Sequence, residues 1–142
     1  MSISTFESRV ANVTCSAEEV FNFISDIRNF EQFIQFDKIS DWYADKNSFS
    51  FRAAPLGSVN LFISETEPFT KVIFSGTALQ SNDFSLFFQI SGRNNEPARV
   101  KVTLNAELNP LLKMMASKPL NQFLAALMDE IEGFRGWKNI RE

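Results

Sequence analysis

The sequence contains no histidine, which removes the commonest general base at neutral pH and the usual nitrogen ligand for a metal ion. Every histidine-dependent nucleophile arrangement goes with it. The single cysteine, Cys15, cannot close an intramolecular disulfide, and no base stands beside it to make it a nucleophile. An excess of one charge is also missing: 14 basic and 17 acidic residues leave a net charge of -3 with no Lys/Arg cluster, which argues against nucleic acid as a partner. Apolar runs are short, residues 124–128 being typical, against the roughly 20 residues of a membrane-spanning helix. Residues 1–11 mix Glu7 and Arg9 into their apolar positions and so lack the core of a secretory signal. With the lone cysteine, this points to a cytoplasmic protein without a transmembrane segment.

What the chain does have is apolar bulk. Its 142 residues are 44% apolar and 22% charged, the balance of an ordinary folded domain, and a single domain over residues 1–142 is expected. Sixteen phenylalanines stand beside one tyrosine and two tryptophans, so most rings carry no polar handle that needs a partner. A dense phenylalanine core and a phenylalanine-lined pocket both satisfy this composition.

Periodicity divides the chain. Residues 3–13 carry Ile3, Thr5, Val10 and Val13 in imperfect alternation and read as a first strand. Ser16 followed by Glu19 has the form of a capping box, and Val20, Phe21, Phe23 and Ile24 follow at helical spacing, which predicts a short helix over 17–25. Ile27, Phe30, Phe33, Ile34 and Phe36 predict a second short helix within 26–36. From 38 to 108 the period becomes two, with breaks at 45–47, 55–57, 67–68, 81–83 and 92–97, giving a meander of about six strands. The cleanest row is Val100, Val102, Leu104, Ala106 and Leu108, and Gly76 falls where a bend or close backbone approach would let the sheet curl. After Asn109-Pro110, the stripe Ala116, Leu120, Phe123, Leu124, Leu127, Ile131 and Phe134 predicts a long amphipathic helix. Pro119 inside it predicts a kink or restart near 117–120.

The resulting α+β order is a strand, two short helices, an antiparallel meander and a long C-terminal helix. It resembles the SRPBCC superfamily, which includes START-like lipid carriers, Bet v 1-like proteins, polyketide cyclases and coenzyme Q-binding proteins. The most specific stretch is 16–30, with its capping serine, the Val20-Phe21 helix and the turn led by Asp26. The resemblance implies a helix-grip fold, a curved antiparallel sheet of about seven strands around the C-terminal helix. It also implies binding of a small hydrophobic molecule in an interior cavity. The turn at Asp45-Lys46-Asn47 lacks the glycines of the Bet v 1-like loop, which weakens that branch.

On this reading the ligand-binding residues are Phe49, Phe51, Leu61, Phe74, Phe88, Leu104, Phe123 and Leu127 inside. The rim comprises 55–57, 81–83, Phe33, Phe36 and the start of the long helix, where one of Met114 and Met115 should face inward. No catalytic residue, metal ligand or cofactor is expected. Glu65 with Glu67, and Asp41 with Asp45, read as solvated carboxylates. Two rival functions remain: a polyketide cyclase or aromatase using an inward charge such as Arg52, and an interaction module that takes a protein partner or forms a homodimer through an outer patch such as Phe87.

Overall fold

The computed structural model describes residues 2–26, 29, 33, 39–45, 47–53, 57–78, 82–93 and 96–134. Among these the chain runs β1 (Ser2–Glu7), β2 (Ala11–Asn12), α1 (Ala17–Ile24), β3 (Ile39–Ala44), β4 (Ser48–Ala53), β5 (Gly57–Glu67), β6 (Lys71–Ala78), β7 (Asn82–Ser91), β8 (Arg99–Leu108) and α2 (Pro110–Gly133). All strands join one antiparallel sheet in the order β1-β8-β7-β6-β5-β4-β3, and β2 also pairs with β8. This is the helix-grip architecture. The expected first strand is split in two, because the chain leaves the ladder at residues 8–10 before β2 rejoins β8.

Alternation sets the inner face as expected. Val100, Val102, Leu104, Ala106 and Leu108 are buried, and Val72, Phe74, Phe84, Leu86, Phe88 and Ile90 continue the same apolar layer across β6 and β7. Gly76 marks a close approach of two strands: a Cβ there would lie 1.9 Å from the carbonyl oxygen of Asn60 on β5. Only glycine fits that contact. At the sheet edge, β3 carries an irregularity between Ser40 and Tyr43, with Asp41 at φ 57°. Such a bulge twists an edge strand away from unwanted pairing.

The capping box of α1 is complete: the Ser16 hydroxyl accepts from the Glu19 N–H, and the Glu19 carboxylate accepts from the Ser16 N–H. Beyond α1, the buried Asn29 side-chain amide donates to the Phe23 carbonyl at 3.0 Å, satisfying a carbonyl near the helix end. Most of the expected second helix, Phe36 included, lies outside the described residues. Phe69 sits in the β5–β6 turn at φ 67°, strained for a bulky side chain, and its ring meets Phe21 of α1 edge-on at 5.8 Å.

Asn109 caps α2, accepting from the Leu112 N–H at 2.8 Å, and Pro110 takes the first helical position, where no N–H is needed. The expected restart at Pro119 does not occur: α2 continues as one helix through it. Burial of Ala116, Leu120, Leu124, Leu127, Met128 and Ile131 holds the turns on both sides of the proline against the core. Packing therefore overrides the local cost. The C-terminal half of α2 is also tied by charge. Arg9 donates to Asp129 at 2.8 Å and Glu132 at 3.2 Å, and Glu132 also accepts from the Asn12 N–H at 2.9 Å. The Glu132 carboxyl is held below the ordinary carboxylate range, chiefly by the Asn12 N–H and then by Arg9.

Candidate functional site

The inner face of the sheet is an aromatic surface built by two-residue alternation on β4, β6 and β7. Phe49 and Phe51 on β4 lie parallel with centroids 6.0 Å apart, Phe74 meets Phe49 edge-on at 6.0 Å, and Phe88 meets Phe74 edge-on at 5.3 Å. Trp42 extends the run, stacking on Phe49 at 5.4 Å and Phe51 at 5.9 Å. These separations are those of favourable ring pairs. α2 lies nearest β1, β2 and β8, and α1 nearest β6 and β7.

Seven of the eight expected interior residues join this core: Phe49, Phe51, Leu61, Phe74, Phe88, Leu104 and Leu127 are each 3% exposed or less. A ligand-sized void beside them would give them accessible surface. They are instead buried from solvent. Phe123 is half-buried at the margin. Phe33 is fully buried against Phe23 and Phe134, 5.8 and 5.3 Å away, and is not exposed at a rim.

Met114 and Met115 both face outward, correcting the expectation that one would point inside. Helical spacing gives the inward positions of these turns to Leu112, Ala116 and Leu120. Arg52 is likewise exposed on the outer face, 4.0 Å from Asp41, and cannot serve as an interior acid or anchor. Among the described residues, the buried polar side chains are Ser4 and Asn29, and no charged side chain is buried. Glu65 and Glu67 are exposed beside Lys71, whose ammonium is held above its usual range chiefly by the hydrogen bond to Glu65.

Trp42 was missed because the β3 irregularity breaks the alternation that would have placed it. Two open depressions on the outer face were missed as well. One, of about 480 Å³, lies between Phe62 and Ile3 over Ser75, Thr77 and Ser85. The other, of about 680 Å³, surrounds Phe87, where the Lys71 ammonium sits 5.9 Å from the ring centroid. Phe87 had marked the second as a small patch, although nothing in the sequence gave its depth.

Solved structures share this fold. Norcoclaurine synthase from Thalictrum flavum, solved in complex with dopamine and hydroxybenzaldehyde, matches with a TM-score of 0.66 at 11% identity, over 92% of this chain and 85% of that one. The protein Mll3558 from Rhizobium loti matches at 0.67 and 12% identity, over 92% and 96%. A START superfamily protein from Mycobacterium smegmatis matches at 0.58 and 16% identity, over 92% and 97%. The chain therefore shares the helix-grip fold of these proteins. No family model and no curated protein matches the sequence. The turn after β3 keeps its own chemistry. The Asp45 carboxylate closes that turn by accepting from the Asn47 and Ser48 N–H groups at 2.8 and 2.9 Å.

Proposed function

We propose that this protein binds a small hydrophobic molecule, a lipid, quinone, polyketide or other aromatic compound, between the sheet and α2. It acts as a carrier or sequestering protein of the cytoplasm and not as an enzyme. The observation that carries this reading is the continuous aromatic surface from Trp42 through Phe49, Phe51 and Phe74 to Phe88, on the inner face of a fold in which norcoclaurine synthase holds two aromatic molecules. Apolar burial at about 25 cal/mol per Å² supplies the affinity. Because the rings are buried, a ligand must part them, and the asymmetry of α2 supports such opening. Among the described residues, the ion pairs that fasten α2 to the rest of the protein reach Asp129 and Glu132, and none reaches 110–120. The absence of buried charge among the described residues weighs against the cyclase reading.

Trp42 is a built-in reporter. In a Trp137→Phe variant, which leaves Trp42 as the sole tryptophan, titration with 1-anilinonaphthalene-8-sulfonate and ubiquinone-1 should change Trp42 emission with saturation at one equivalent. Native mass spectrometry of the purified protein should show a bound small molecule. Unchanged emission together with a ligand-free mass would leave the aromatic surface as structural core alone and refute the proposal.

A further inference from the structure

We propose that the outward face of the first two turns of α2 docks on an anionic lipid surface. Leu111, Met114 and Met115 are 61%, 74% and 66% exposed, although they stand three and four residues apart on one side of the helix. A helix covering a core ordinarily turns polar side chains outward. Here the outward side presents three large apolar residues, while Ala116 and Leu120 are buried on the other side. Lys118, four residues after Met114, shares the exposed face, and Lys113 borders it.

The charge pattern selects the occupant. Between Glu107 and Asp129 the sequence has no acidic residue and two lysines, in a chain whose net charge is -3. The apolar patch is thus set in a locally positive zone. A second copy of the chain meeting it face to face would bring Lys113 and Lys118 against their own counterparts, like charge on like. An anionic lipid surface instead takes Leu and Met side chains among its acyl chains and pairs the ammonium groups with its head groups, as interfacial amphipathic helices do. No described helix is long and apolar enough to cross the bilayer, so the contact is a surface one. This inference stands on the helix exterior and does not require an interior ligand.

Flotation with vesicles of phosphatidylcholine, and of phosphatidylcholine with one quarter phosphatidylglycerol, tests it on the full chain. The protein should float with the anionic vesicles at low salt, be released at high salt, and ignore the neutral ones. Each lysine near an anionic surface is worth roughly fivefold, so a Lys113→Gln/Lys118→Gln variant should partition about thirtyfold more weakly. A Met114→Gln/Met115→Gln variant should also lose binding, with both variants melting as the parent does because all four side chains are exposed. Absence of flotation, equal binding to neutral vesicles, or undiminished binding by either variant would overturn the proposal. So would a dimer that the methionine variant dissolves in a protein that does not float, and binding confined to acidic proteins.

Discussion

Three glycines should respond to the same substitution in three different ways, and Gly76 is the informative one. Alanine at Gly76 would place its Cβ 1.9 Å from the Asn60 carbonyl oxygen, 2.9 Å from the Asn60 carbonyl carbon and 3.1 Å from the Leu61 Cα. Carbon and oxygen ordinarily stop near 3.3 Å, so one strand must retreat by about 1.4 Å. All three of these neighbours are backbone atoms, and no side chain can turn aside. The retreat breaks the β5–β6 ladder where Leu61 opposes Gly76, with the buried Phe74 one inward position away. Overpacking typically costs about 1–3 kcal/mol, and each ladder bond lost adds about 1. The reduced freedom of the unfolded chain returns only about 0.4–1 kcal/mol. A net loss of about 3 kcal/mol in Gly76→Ala should appear in urea denaturation. Gly133→Ala, in open space at the end of α2, should instead gain about 0.5 kcal/mol. Gly57→Ala, also in open space but at φ 71°, should lose about 1 kcal/mol. A Gly76→Ala protein within 0.5 kcal/mol of its parent would refute the close approach.

Three further outcomes are accessible. Glu132→Gln keeps an acceptor for Asn12 and removes the charge that meets Arg9. The folded-state pKa of Glu132 is lowered, so its stabilisation is complete above the ordinary carboxylate range and disappears as pH falls through the folded value. The melting difference between parent and variant should therefore be present at neutral pH and vanish in acid; a pH-independent difference would show that the clamp is not electrostatic. Pro119→Ala should stabilise by up to about 3 kcal/mol and slow amide exchange across 111–117, because it restores a helical N–H; no gain would mean that the proline already fits without strain. Ser16→Ala should cost about 1 kcal/mol in thermal unfolding, and a neutral result would make the capping box of α1 ornamental.

The architecture was legible because its signals are local. The capping box at Ser16 and Glu19, the Asn109-Pro110 start and the two-residue rows of β4 to β8 each state a backbone conformation through a few neighbouring side chains. Where tertiary forces entered, local reading failed. Pro119 argued for a break, and the buried stripe from Ala116 to Ile131 overrode it. Trp42 escaped because one irregular step at Asp41 reverses which positions of β3 face inward, and no composition signal announces such a step.

The candidate site was legible only in direction, since periodicity reports which way a side chain points and says nothing about the distance to what it faces. Phe49, Phe51, Phe74 and Phe88 all point inward as their spacing required, yet the same spacing suits a packed core and an open pocket. What separates the two is the volume left between sheet and helix, and that depends on where α2 is anchored. Its fastening lies in Arg9, Asp129 and Glu132, residues more than a hundred positions apart in the sequence and joined only by the fold. The same distance decides the outward methionines. Adjacent helical positions lie about 100° apart, which argued for one inward methionine, but the helix's seat on β1, β2 and β8 leaves both Met114 and Met115 uncovered. Closed interior and bare exterior are thus two consequences of one placement.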